Sequence, residues 1–115
     1  MKNEDRKKEL RALYSEREIT GGVYLIRNTL NNKLFLDTSL DMQSSKNRFE
    51  FALKTGSSVY LKLKEDMEKH GADRFVFEVL EEHKKGKAQT NEEFKSDISA
   101  LTELWREKLA GESFY

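Results

Sequence analysis

Six basic side chains lie within one stretch of the sequence, residues 33–64, and together they could track the phosphates of a nucleic acid. They are Lys33, Lys46, Arg48, Lys54, Lys62 and Lys64. Residues 19–64 carry seven basic and three acidic side chains, whereas residues 65–115 carry eight and thirteen. Because lysine and arginine attract phosphates, a polyanion that binds this chain is expected on the middle segment. The alternative is that these lysines only keep the protein soluble.

Other chemistry finds little support in the residue types. The chain has no cysteine, and its two histidines, His70 and His83, stand apart from any metal-ligand spacing. Its six glycines are dispersed, so the sequence has no glycine loop that would cradle a phosphate. The serines at 44–45 and 57–58 have no histidine partner, which argues against a serine nucleophile. We expect no metal site from these residues.

The composition indicates one small, highly charged domain. The chain has 115 residues, 37% of them charged, and a formal net charge of zero, which argues against coating nucleic acid by bulk charge. No apolar run approaches the roughly 20 residues of a membrane span, and the N-terminus lacks an apolar signal segment. We expect a soluble, cytoplasmic protein without a membrane partner.

The elements that would position the basic residues begin with a hairpin. The runs "VYLIRN" and "KLFLDTS" alternate as strands do and are joined through Asn31 and Asn32, which tolerate the positive φ of tight turns. Asp41 can cap a helix to about Thr55, and a second helix is predicted from about Val59 to His70. The predicted inward residues are Met42, Phe49 and Leu53 in the first helix and Tyr60, Leu63 and Met67 in the second.

A third strand and a last helix follow. "RFVFEVLEE" predicts a strand with Phe75, Phe77 and Val79 on one face, and His83 to Asn91 is expected to be a loop. Thr90 and Glu93 are spaced as a capping box. The apolar stripe of the last helix is Phe94, Ile98, Leu101, Trp105 and Leu109.

The fold class predicted from this order is α/β of the α+β type. It has a small three-stranded, mainly antiparallel sheet flanked by helices. Residues 1–18 form an extra N-terminal helix in this interpretation, and residues 19–115 form the domain.

Several stretches taken together resemble the GIY-YIG nuclease superfamily. "GVY" at 22–24 is followed by "NTLNNK", by "FLD" at 35–37, by a charged helix, by "KHGADRFVFEVLEE" and by a helix that carries a tryptophan. The triplet alone occurs in many strands, but the order and spacing of all these stretches are specific. The resemblance covers residues 22 to about 109. It is closest to the phage-intron homing-endonuclease branch and to small stand-alone bacterial members.

The resemblance implies metal-assisted hydrolysis of a phosphodiester. In active members a first tyrosine assists deprotonation of the attacking water, and Tyr24 matches that position. A second tyrosine, a glycine, a helix arginine and a metal-binding glutamate complete the family's site. The residues at these four positions are Phe35, Asp37, Ser45 and Thr102.

Neighbouring residues could replace some of the missing groups. Arg48 lies three residues beyond Ser45 on one helix face, so its long side chain could reach a phosphate. Glu103 is a poorer replacement for a carboxylate at Thr102, because it points about 160° away from the apolar stripe. Asp37 could in principle supply a carboxylate instead, but without an arginine and a second ligand we expect it to repel a phosphate.

We therefore expect a GIY-YIG nuclease-family protein that is catalytically impaired or inactive, a pseudoenzyme without a cofactor. It would bind DNA or RNA through the basic surface of residues 33–64. One alternative is an active metal-dependent endonuclease that uses Tyr24 and Arg48 with Mg²⁺ or Mn²⁺. A second alternative is an interaction module whose N-terminal helix and acidic C-terminal segment contact a protein partner or a second copy.

Overall fold

The computed structural model describes residues 19–56 and 60–115. Three strands and three helices, with one short 3-10 turn, make up this part of the chain. The strands are β1 (Thr20–Asn28), β2 (Leu34–Ser39) and β3 (Phe75–Lys84); the helices are α1 (Met42–Thr55), α2 (Lys64–His70) and α3 (Asn91–Lys108); the 3-10 turn is Ala72–Arg74. The helix predicted over residues 1–18 lies outside the described residues.

The strands form one sheet in the order β2-β1-β3, and both pairs are antiparallel. The predicted fold class is confirmed. The hairpin between β1 and β2 turns where it was predicted to, because Asn32 adopts a φ of 59°. The Asn28 side chain accepts from the Leu30 N–H at 3.0 Å, and the Asn31 side chain accepts from the Lys33 N–H at the same distance. Both contacts are asparagine-mediated turns of the kind that this residue type favours.

Different helices cover the two faces of the sheet. Tyr24 and Ile26 on β1 point into a core that includes Phe49 of α1 and Met67 of α2. Because side chains alternate along a strand, Gly21, Val23 and Leu25 lie on the opposite face. There α3 packs across β1 and β2, with Phe94 close to Gly21 and Ile98 buried.

A β-bulge in β3 changes which face its residues use. Tyr24 pairs with Val79 but Val23 pairs with Glu81, so Leu80 is the extra residue on β3. Beyond the bulge, Glu81 turns to the face that α3 covers. There its carboxylate accepts the indole N–H of Trp105 at 2.9 Å.

Some predicted boundaries and burial patterns were wrong. The helix predicted from about Val59 begins at Lys64 instead. Tyr60 and Leu63 are buried as expected, but they sit in a turn in which the Leu63 N–H donates to the Tyr60 carbonyl at 3.0 Å. The residues 57–59 lie outside the described part. In α1 the buried residue near the end is Ala52, whereas Leu53 is 38% exposed.

At the ends of the strands the sheet also extends further than predicted. The first strand begins at Thr20, before the glycine pair, and the third continues to Lys84. Pairing of Thr20 with Lys84 and of Gly21 with His83 extends the ladder into the segment that was predicted to be a loop. In α3 the helix cap predicted at Thr90 is present, since the Thr90 hydroxyl accepts from the Glu93 N–H at 3.1 Å and donates to Glu93 Oε1 at 3.2 Å.

The C-terminal residues pack against the hairpin. Tyr115 N–H donates to the Leu34 carbonyl at 2.9 Å, and the Tyr115 hydroxyl donates to Asp66 Oδ2 at 2.7 Å. The buried Asn28 donates to the same hydroxyl at 3.0 Å. Tyr115 therefore joins the first hairpin to α2. No helix in the described part of the chain has the length and apolar character needed to cross a membrane.

Candidate functional site

Tyr24 lies on β1 directly opposite Asp37 on β2, and the two side chains are hydrogen-bonded. The Tyr24 hydroxyl donates to Asp37 Oδ2 at 3.0 Å, and its ring stacks on Phe77 with the centroids 4.7 Å apart. Only 1% of Tyr24 is exposed, whereas Asp37 is half-buried. The strand register thus places a carboxylate on the tyrosine that the resemblance identified as catalytic.

Burial and charge both disfavour the phenolate form of Tyr24. Burial raises the pKa of Tyr24 most, because the ionised form loses hydration, and the negative charge of Asp37 raises it further. The positive charge of Arg48 lowers the pKa of Tyr24 and so opposes these two effects. The pKa of Tyr60 is raised by burial, while Arg48 lowers it and Asp37 raises it. These four residues therefore form one electrostatically connected cluster, the tyrosine cluster.

Sequence reasoning assigned Tyr60 to the core only. In the structure its ring contacts Phe35 edge to face, with the centroids 5.7 Å apart. Phe35 packs against the same core as Tyr24, which suits its apolar ring. The residue type of Tyr60 could have indicated its place in the tyrosine cluster, because a tyrosine at an inward position needs a polar environment for its hydroxyl.

Ser45 occupies the helix position at which the family carries an arginine. Its hydroxyl lies 2.6 Å from that of Ser39, a buried residue at the end of β2. Ser45 thus ties α1 to the sheet. Arg48, almost one turn further along α1, is exposed and is the cation that acts on both tyrosines.

Thr102 occupies the position of the metal-binding glutamate. It is 5% exposed, and its hydroxyl donates to the Ile98 carbonyl of its own helix at 2.8 Å. Glu103 points to solvent, as its position on the helix predicted, with an exposed ion pair to Arg106 at 3.5 Å. Within residues 19–56 and 60–115, no group of three or more histidine or carboxylate side chains could hold a metal ion.

The predicted nucleic-acid-binding residues are distributed over the helices and the hairpin. Lys46, Arg48 and Lys54 lie on α1, Lys64 begins α2 and Lys62 sits in the preceding turn. Lys33 lies in the hairpin turn, its ammonium group 5.4 Å from the centre of the Tyr115 ring. Five of the six therefore belong to the layer that covers the tyrosine cluster.

Two solved structures share this fold and a similar sequence. One is described as the catalytic domain of the intron endonuclease I-TevI, in a point mutant; it is 29% identical, with 79% of this chain and 84% of that chain covered and a TM-score of 0.54. The other is described as the catalytic domain of the homing endonuclease I-TevI; it is 28% identical, with 77% and 87% covered and a TM-score of 0.54.

No family model matches the sequence, and no curated protein matches it either. The resemblance seen in the sequence is nevertheless confirmed by these structures, which are described as catalytic domains of a homing endonuclease and share the fold over more than three-quarters of this chain. In fold and in sequence, the chain is therefore similar to the catalytic domain of a GIY-YIG homing endonuclease.

Proposed function

We propose that this chain is a GIY-YIG domain that binds nucleic acid through the basic surface of residues 33–64 and has lost most or all phosphodiester cleavage. The observation that carries the proposal is the hydrogen bond from the Tyr24 hydroxyl to Asp37. A tyrosine that helps to deprotonate water must be able to take up or relay a proton near neutral pH. Tyr24 is buried, donates its own proton to a carboxylate and has a raised pKa.

The residues around Tyr24 also support impaired cleavage. A phosphoryl oxygen that approached Tyr24 would meet the negative charge of Asp37, which destabilises the ground state and the transition state alike. The neutral hydroxyls of Ser45 and Thr102 are each bonded within the protein and stand where the resemblance implies an arginine and a glutamate. In the part of the chain that the structure describes, no group of three or more histidine or carboxylate side chains could hold a divalent metal, so no step is assigned here to Mg²⁺ or Mn²⁺.

Retained binding is supported by the basic residues of α1 and of the segment before α2. They are exposed or half-buried, and they lie in the same layer of the fold as Arg48. A surface of this kind binds DNA or RNA by releasing counterions, so the affinity must fall steeply as salt rises.

Fluorescence anisotropy with labelled DNA and RNA oligonucleotides tests the binding half of the proposal. We expect the association constant to fall at least about tenfold between about 50 mM and 200 mM salt. The double variant Arg48→Ala/Lys54→Ala should bind more weakly and with a smaller salt slope. Lys95→Ala, an exposed lysine on α3, is the matched control and should bind like the wild type. Absence of binding even at low salt would overturn the proposal.

One observation favours the second candidate, an active metal-dependent endonuclease. The Arg48 charge lowers the pKa of both Tyr24 and Tyr60, so α1 supplies a cation that acts on the first-motif tyrosine although Ser45 stands at the position of the family's arginine. Incubation of plasmid with Mg²⁺ or Mn²⁺ separates the two candidates when Tyr24→Phe is assayed beside the wild type. Cleavage that requires the Tyr24 hydroxyl would favour the second candidate.

A further inference from the structure

One side of α1 carries an aromatic side chain exposed to solvent. Phe51 is 57% exposed, and among the large apolar side chains exposed in the described residues it is the one aromatic ring. The helix already buries Met42, Phe49 and Ala52 against the sheet, so Phe51 contributes nothing to that packing. Single exposed aliphatic residues are ordinary on protein surfaces. An exposed phenylalanine is less favourable, because its large ring leaves more apolar surface in contact with water.

The neighbours of Phe51 on the helix are basic or neutral. At 100° per residue, Arg48 and Lys54 lie about 60° to either side of Phe51, and Asn47 and Thr55 lie about 40° away. The acidic residue of α1, Glu50, lies about 100° away. All of these side chains are exposed. The ring thus stands between two cations on a face of α1 to which the helix itself contributes no acidic side chain.

The same face leads to the tyrosine cluster. Residues three apart on a helix are surface neighbours, so Phe51 lies beside Arg48, whose charge lowers the pKa of Tyr24 and of Tyr60. A polyanion that contacts both Arg48 and Lys54 would have the Phe51 ring between its two contacts, because Phe51 lies between these residues on α1. Because an aromatic ring can stack on the face of an unpaired base, the ring favours a polyanion that has such bases.

We propose that Phe51 is a stacking platform for an unpaired base of a bound DNA or RNA strand. This inference rests on the proposed function. The phosphates on either side of that base would contact Arg48 and Lys54. Aromatic side chains between cations bind single strands in this way, because every base has a π-face and the backbone carries the charge. A continuous duplex keeps its base faces covered, so it gains nothing from the ring. The surface therefore prefers single-stranded or locally unpaired nucleic acid.

The test compares strands and variants in one anisotropy assay on the full chain. Labelled single-stranded DNA, single-stranded RNA and duplex DNA of one sequence are titrated with wild type, Phe51→Ala, Phe51→Trp and Leu104→Ala. Leu104 is the matched control, because it is 54% exposed and lies on α3, which covers the other sheet face. Circular dichroism and thermal unfolding of each variant confirm that the fold is retained.

We expect Phe51→Ala to weaken single-strand binding about 5- to 100-fold, and Phe51→Trp to retain it. Leu104→Ala should have no effect, and duplex binding should change little in any variant. A fluorescent adenine analogue in the strand should be quenched by wild type and much less by Phe51→Ala. The strand type that shows the Phe51 effect identifies DNA or RNA as the ligand.

Two results would overturn the inference, and they can be told apart. If wild type binds nucleic acid but Phe51→Ala behaves like Leu104→Ala, the stacking role is wrong while the proposed binding function stands. If wild type binds none of the three oligonucleotides at low salt, both fail together.

Discussion

The Tyr24 hydroxyl donates a hydrogen bond to Asp37 Oδ2 at 3.0 Å, across a strand pair in which the two residues are directly opposite. The contact is fixed by the register of the first hairpin, because a shift by one residue would turn the two side chains to different faces. In an active site the Tyr24 hydroxyl on β1 would assist deprotonation of the attacking water. Here that hydroxyl already donates its proton to Asp37.

Replacing Asp37 should make Tyr24 easier to ionise. In Asp37→Asn the pKa of Tyr24 should be lower than in wild type because a negative charge is removed, yet it should stay above the ordinary value of about 10, since burial is the larger cause. Spectrophotometric titration of phenolate absorbance, with Tyr24→Phe subtracted, measures this. An unchanged titration in Asp37→Asn would contradict the assigned hydrogen bond.

Stability should decline at high pH. Tyr24, Tyr60 and Tyr115 all have raised pKa values in the folded state, so above about pH 10 the unfolded chain loses their protons first. The stabilisation they provide is complete below about pH 10 and is lost as the pH rises above it, by at most about 1.4 kcal/mol per pH unit for each tyrosine. Urea unfolding across this range should give a shallower slope for Tyr24→Phe. A slope equal to that of wild type would mean that Tyr24 ionises alike in both states.

Gly22, the first residue of the "GVY" triplet, should tolerate no side chain. It has a φ of 151°, and a Cβ at this position would collide with the Glu81 carbonyl of β3, next to the bulge. We expect Gly22→Ala to lower the free energy of unfolding by at least about 2 kcal/mol.

Gly56→Ala is the matched control for Gly22→Ala. Gly56 also has a positive φ, 65°, but a Cβ there would meet open space. Gly56→Ala should lower the free energy of unfolding by only about 1 kcal/mol, which is the strain of an alanine in the left-handed conformation. Chemical denaturation of both variants checks the pair, and equal losses would contradict the close approach at Gly22.

Tyr115→Phe should loosen the connection between the hairpin and α2. The variant loses the hydrogen bonds with Asn28 and Asp66, and the buried Asn28 is left without that acceptor, at a cost of about 1–3 kcal/mol. The pKa of Asp66, which the Tyr115 hydroxyl holds below its usual value, should rise. A double-mutant cycle with Asp66→Asn measures the coupling. Additive losses would show that the two side chains do not interact.

Local patterns predicted the features of the fold that depend on local chemistry. The Asn31–Asn32 turn and the helix cap formed by Thr90 with Glu93 each need only neighbouring residues. The bulge at Leu80 could not be predicted this way, since it appears only when two strands are paired. The late start of α2 followed from the turn that buries Tyr60 and Leu63.

The candidate site also has features that the sequence predicted and features that it could not predict. The resemblance identified Tyr24 and the substitutions at Asp37 and Ser45 from spacing alone. It could not foresee that Asp37 would accept the Tyr24 hydrogen bond, or that Tyr60 would join the cluster, because both depend on three-dimensional packing. Tyr115 was missed for the same reason, its partners lying 49 and 87 residues away.

Metal-dependent cleavage of plasmid DNA, with wild type and Tyr24→Phe purified in parallel, tests the central claim most directly. If the Tyr24 hydroxyl is held by Asp37 as described, wild type should nick the plasmid in Mg²⁺ or Mn²⁺ no faster than Tyr24→Phe does. Rapid nicking by wild type that is lost in Tyr24→Phe would contradict the claim and assign this chain to the active endonucleases.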